Sequence, residues 1–189
     1  MIHNISNQSF RFVLLLFVLI GGLGTGEWLS RAEVRDPAQF RPDAPTDSIR
    51  ADSNRTFYKE EMIDSLILFG KQYLGLAYRY GGTTPAGFDC SGYVSYLFGH
   101  FGYRLPTSSS AMATVGEEVD YKDARKGDLI LFKGRSTSSS RVGHVALIIG
   151  KDSLGVQMMH SCRRGVKIDR YPQMEYYRAR FVGVRRVKL

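Results

Sequence analysis

Cys90 lies between Asp89 and Ser91 in the stretch Phe88-Asp89-Cys90-Ser91-Gly92-Tyr93-Val94, where a glycine-rich segment over residues 80–87 gives way to a helical pattern. A thiol becomes a nucleophile when its surroundings favour the thiolate. Asp89 is a good N-cap, because its carboxylate can accept backbone N–H groups that the first helical turn leaves unpaired. Cys90 then falls in the first turn, where the positive end of the helix dipole is expected to lower its pKa. The competing reading is a small buried hydrophobe, the commoner fate of a cysteine.

A cysteine nucleophile needs a base, and the base needs a group that orients it. The chain has four histidines. His3 falls in an N-terminal leader, and His100 lies near the end of the Cys90 helix, roughly 15 Å away along its axis. His144 and His160 remain, each in an apolar run that reads as a strand. On the first, His144 shares a face with Ala146 and Ile148; on the next, His160 shares a face with Met158 and Cys162. Neighbouring antiparallel strands about 4.8 Å apart can bring two such rings into hydrogen-bond reach if the register allows. The expected roles are Cys90 as nucleophile, His144 as base and His160 as orienter. Against this stands the ordinary case, a strand histidine that is only a satisfied polar residue. Cys90, His144, His160 and Cys162 lack the close-set ligand pairs of structural zinc sites, so no metal and no cofactor is expected.

The elements that must position these residues can be read from periodicity. Met62, Ile63, Leu66, Ile67, Phe69, Tyr73 and Leu74 recur at helical spacing, with Glu60 and Glu61 in the first turn and Gly75 as the stop. The Cys90 helix is expected to run to about Phe101 and to bury Val94, Leu97 and Phe98. Thr107 or Ser108 can cap a short helix reaching about Gly116. Apolar runs then follow at residues 129–132, 142–150, 156–162, 166–168 and 181–184. Helices first and a strand meander afterwards predict an α+β fold, with helices packed on an antiparallel five- to six-stranded sheet.

The 189 residues suffice for one domain with appendages, and a chain that is 43% hydrophobic can bury a core. Arg11 precedes an uncharged run over residues 12–26, whose apolar heart fits the h-region of a secretory signal and is short for a membrane span. Residues 1–26 are therefore expected to be a signal peptide or N-terminal anchor. No cysteine follows that run until Cys90, which rules out a lipoprotein anchor. Residues 27–57, charged and punctuated by Pro37, Pro42 and Pro45, read as a flexible linker, and the domain is expected over residues 58–189. Export to the periplasm or outside the cell makes Cys162 notable, since under oxidation it could close an inactivating disulfide with Cys90 if their Cα atoms lay within about 7 Å. The formal charge of +8 and pI of about 9.6 favour an anionic partner. The basic residues are dispersed and no aromatic-interleaved RNA-binding motif is present, so nucleic acid is not expected.

Taken in order, the block from Tyr78 to Val94, Leu105-Pro106-Thr107, the run from Lys126 to Phe132, the run from Val142 to Gly150 and the His160 strand resemble the NlpC family of bacterial cell-wall cysteine peptidases. The resemblance covers about residues 58–187. It implies a papain-like fold, peptidoglycan as partner, and cleavage of the stem peptide, commonly between D-glutamate and the diamino acid; some members cut the cross-link instead. The protein is expected to be a monomer. The resemblance matches Cys90 to the nucleophile, His144 to the base and His160 to the third polar residue. Tyr78 matches a tyrosine whose hydroxyl, with the Cys90 N–H, can stabilise the oxyanion. Asp89 and Ser91 match residues lining the site, although Asp89 reads first as a helix cap. Arg79 is a weaker candidate for a substrate carboxylate. The sequence departs from the family pattern at Cys162, where a small non-thiol residue is usual. A catalytically silent wall-binding module and a wall amidase or acyltransferase on the same scaffold are the alternatives.

Overall fold

A computed structural model describes residues 44–189. Expectations for the signal or anchor segment, and for the linker as far as residue 43, lie outside the described residues. The first helix, α1, spans Ala44–Lys71. It thus covers the second part of the segment read as a flexible linker, and residues 44–57 are helical instead. The stretch 50–61 lies largely exposed, so that half of the helix has no apolar stripe to announce it, whereas Ile63, Leu66 and Ile67 are buried. Among the described residues no helix is long and apolar enough to cross a membrane.

A two-stranded hairpin follows, β1 (Thr83–Thr84) and β2 (Gly87–Phe88), inside the segment read as a loop. Helix α2 spans Cys90–His100 and buries Tyr93, Val94, Leu97 and Phe98. Helix α3 is a single turn, Ser109–Met112, shorter than expected, and the Ser108 side chain makes no capping bond. Strands β3 (Glu117–Val119), β4 (Leu129–Lys133), β5 (Val142–Asp152), β6 (Gly155–Cys162), β7 (Gly165–Tyr171) and β8 (Phe181–Arg186) form one antiparallel sheet. Helix α4 (Glu175–Arg178) precedes β8. The strand order is β3-β8-β4-β5-β6-β7. All five expected strands are present. The sixth, β3, is short and mostly exposed, so it carries no apolar alternation to read.

Alternation divides the sheet into two cores. Leu129, Leu131, Val145, Leu147 and Met159 pack with α1 and α2. Ile130, Phe132, Ala146, Ile148 and Met158 pack on the opposite face with Tyr171 and Tyr177. Asp128, almost fully buried, accepts from both Nε and Nη2 of Arg186 at 2.9 and 2.8 Å and from the Arg125 N–H at 2.9 Å. This buried pair, satisfied at both carboxylate oxygens, ties the start of β4 to the end of β8. It gives Asp128 a structural account that needs no chemistry.

Candidate active site

The start of α2 is fixed by its cap. Asp89 is extended and its Oδ1 accepts the Gly92 N–H at 2.6 Å, while Oδ2 accepts the Gly81 N–H at 3.1 Å. One carboxylate therefore caps the helix and holds the glycine-rich segment against it. The Ser91 hydroxyl lies 2.9 Å from the Thr107 carbonyl and 3.1 Å from Asp89 Oδ1. Gly92 has no alternative here, because a Cβ would overlap the Gly82 carbonyl. From the sheet side, the buried Ser161 hydroxyl donates to the Phe88 carbonyl at 2.7 Å, so β6 braces the residues just before the cysteine.

Cys90 is 8% exposed. The backbone N–H groups of Val145 and Ser91 favour the thiolate form of Cys90, and Val145 is the residue after His144. Burial pushes the thiol pKa up; those N–H groups oppose it, the Asp89 charge adds to it, and the net shift is upward. This corrects the expectation of a thiol acidified by the helix dipole. The first-turn position is as expected, but burial is the largest influence on the thiol and raises its pKa.

His144 and His160 meet across β5 and β6 as the alternation requires, with His144 Nε2 2.9 Å from His160 Nδ1. The His144 ring lies against Tyr177 and Phe132, with centroids 5.8 and 6.1 Å away. Behind them stands Asp169, a residue sequence reasoning missed. His160, fully buried, places Nε2 3.1 Å from Asp169 Oδ2. Lys167 Nζ lies 2.8 Å from the other Asp169 oxygen, and Arg164 Nη2 shares Oδ2 at 3.0 Å. Burial alone would raise the Asp169 pKa, but hydrogen bonds from His160 and Lys167 hold it down to about 2. The signal was in the register: β6 and β7 turn tightly through Arg163-Arg164, Lys167 pairs with His160, and Asp169 is its diagonal neighbour two residues on.

This chain determines the tautomers. An ionised carboxylate only accepts, so His160 carries a hydrogen on Nε2, and where that is the ring's one hydrogen its Nδ1 accepts. His144 must then donate from Nε2, which leaves the lone pair of its Nδ1 as the basic nitrogen. Burial lowers the His144 pKa, and His160 lowers it further, so the ring is neutral at ordinary pH. Among the described residues no hydrogen bond joins Cys90 to His144.

Two adjoining cavities form one cleft. The first, about 620 Å3, is bordered by Asp89, Cys90, Ser91 and Thr107; the second, about 780 Å3, by His144, Cys162 and Tyr177. Tyr78, Tyr80, Arg135 and Gly143 border both. A bulge at Gly143, where a Cβ would press on Gly134, lets the strand turn between them. Burial raises the Tyr78 hydroxyl pKa, and the nearby charges of Cys90 and Asp89 raise it further. Arg79 borders neither cavity. Tyr78 and Tyr80 border the cleft and Arg79 between them is exposed, so the lining lends Arg79 no support as a substrate contact. His100 stacks on Phe69 at 3.9 Å, a packing role. Cys162 and Cys90 are free thiols, and Cys162 Sγ donates to the Gly165 carbonyl at 3.6 Å. Among the described residues no cluster of three or more His, Cys, Asp or Glu is placed to hold a metal ion.

An α+β domain with a thiol at a helix start, beside a two-histidine chain, has relatives. Residues 75–186 match the NlpC/P60 family. The chain is 34% identical over 138 residues to a gamma-D-glutamyl-L-lysine dipeptidyl-peptidase of Bacillus cereus, covering 69% of this chain and 40% of that protein, so it spans well under half of that relative's length. Among solved structures it resembles an NlpC/P60 family protein of Bacillus cereus, with a TM-score of 0.59 and 36% identity over 66% of this chain and 39% of that one. It also resembles RipD of Mycobacterium tuberculosis, described as a non-catalytic NlpC/P60 domain protein adapted to peptidoglycan binding, with a TM-score of 0.54 and 26% identity over 67% of this chain and 98% of that one. The chain belongs to the NlpC/P60 family.

Proposed function

We propose that this protein is an exported cysteine endopeptidase that hydrolyses stem peptides of peptidoglycan, at the bond between D-glutamate and the diamino acid. The observation that carries this reading is the hydrogen-bonded chain from Asp169 through His160 to His144, in a cleft that Cys90 also borders. The similarity to a D-glutamyl-lysine peptidase supports the choice of bond.

Cys90 is protonated in the resting protein, so attack requires the base. As the sulfur forms its bond to the scissile carbonyl carbon, the thiol proton passes to His144 Nδ1. The carbonyl π-electrons move onto oxygen, where the Cys90 N–H and the Tyr78 hydroxyl stabilise the charge. His144, now cationic, is stabilised through His160 by the ionised Asp169. It returns the proton to the departing amine as the C–N bond breaks, leaving a thioester on Cys90. Water, deprotonated by the same nitrogen, cleaves the thioester and restores the thiol.

A second reading, a wall-binding module, is favoured by the similarity to RipD. Sacculi incubated with the wild type, Cys90→Ala and His144→Ala, with released fragments identified by mass spectrometry, decide between them. Digestion by the wild type alone is the expected result, and the fragments name the bond. Equal digestion by Cys90→Ala overturns the nucleophile assignment. Sedimentation with sacculi and no digestion by any variant establishes the binding module.

A further inference from the structure

We infer that the His144 end of the cleft is a carboxylate subsite, built on Arg163 and Arg135, that recognises a free carboxylate on the amine-leaving side of the substrate. This rests on the peptidase reading, because the chemistry of that reading decides which end holds which part of the peptide. The group that protonates the departing amine must lie within hydrogen-bond reach of it. The leaving residue therefore occupies the His144 cavity, and the acyl residue lies toward Cys90, Asp89 and Ser91.

The two ends differ in charge. Lys133, Arg135, Arg163 and Arg164 border the His144 cavity, and no aspartate or glutamate does. The other end carries Asp89 together with Arg141 and with Arg135, which borders both cavities, so it is the less cationic of the two. The four cations are not equivalent. Arg164 is engaged by Asp169, and Lys133 Nζ donates to the Thr137 carbonyl at 2.9 Å. Arg163 and Arg135, both exposed, have no side-chain hydrogen bond or ion pair among the described residues. Two guanidinium groups without internal partners, on a wall without carboxylates, suit a planar anion that can be held through paired N–H donors. Arg163 borders the same cavity as His144 and Tyr78.

The test uses two synthetic stem peptides of identical sequence, differing only in whether the carboxylates of the leaving residue are free or amidated. Binding to Cys90→Ala is measured by calorimetry, and cleavage by the wild type is measured in parallel. In both measurements the free-carboxylate peptide is expected to be preferred about tenfold, through Kd and KM rather than kcat, in line with a charge-assisted contact at a partly exposed site. Adding Arg163→Gln and Arg135→Gln to each protein should bring the two peptides to parity, and Arg163→Lys should restore only part of the preference. Cleavage without preference, or a preference that survives both substitutions, overturns the subsite and leaves the peptidase reading intact. A binding preference in Cys90→Ala without cleavage by the wild type overturns the peptidase reading and, with it, the assignment to a leaving side, and leaves only a carboxylate-binding wall at Arg163 and Arg135.

Discussion

The 3.1 Å contact between His160 Nε2 and Asp169 Oδ2, buried at both side chains, decides which nitrogen of His144 is basic. Without an ionised acceptor at that point, His160 could carry its hydrogen on either nitrogen, and His144 Nδ1 would be a donor for part of the time. Asp169→Asn is therefore expected to lower kcat about a hundredfold, in the range of a lost general base, with KM nearly unchanged. Asp169 acts through His160, so it is a positioning residue. A purely structural role predicts a loss of stability alone, with kcat and its pH profile unmoved.

Asp169 also links stability to acid. Its pKa in the folded protein, about 2, lies below the ordinary value of 3.8. A depressed carboxyl contributes stability that is complete above the unfolded pKa and is lost as pH falls through the folded one. Between pH 5 and pH 2, urea denaturation should show the wild type losing about 2 kcal/mol more than Asp169→Asn. Parallel curves for the two proteins would contradict the ion pairing.

Cys90 reports on its own environment. Because burial raises the thiol pKa, alkylation of Cys90 by iodoacetamide should be slow at pH 6 and rise through the alkaline range, above the ordinary thiol value. The measurement is made in Cys162→Ser, with the site identified by peptide mass spectrometry. A rapid plateau already reached at pH 6 would mean a resting thiolate–imidazolium pair.

Gly92→Ala tests the seating of the α2 start. The added methyl meets the Gly82 carbonyl, so either α2 or the glycine-rich segment must shift. Overpacking of this kind costs about 1–3 kcal/mol, and it should also weaken the Asp89 contacts to Gly92 and Gly81. Denaturant titration reads the stability. A variant with wild-type stability would show that the segment yields freely.

Much of this site was legible in the sequence because period and spacing carry it. The apolar run around His144 and the next around His160 alternate cleanly, and the observed register places the two rings in contact as the pattern allowed. Asp89 announced itself as a cap for the same local reason. What was hidden depends on contacts between elements. The first-turn position of Cys90 was readable, whereas the burial that raises its pKa comes from packing between elements. Asp169 required the β6–β7 register, and Arg163 and Arg135 face the cleft only once the sheet is assembled. Residues 44–57 were read as a linker because this part of the helix, exposed over residues 50–57, shows no amphipathic stripe.

The most direct measurement is intact-protein mass spectrometry after acid quench of the wild type turning over a synthetic stem peptide. The expected result is a transient adduct with the mass of the acyl fragment, less one water, mapped to Cys90, absent from Cys90→Ala and diminished in His144→Ala. An adduct on any other residue, or undiminished peptide hydrolysis by Cys90→Ala, would contradict Cys90 as the nucleophile.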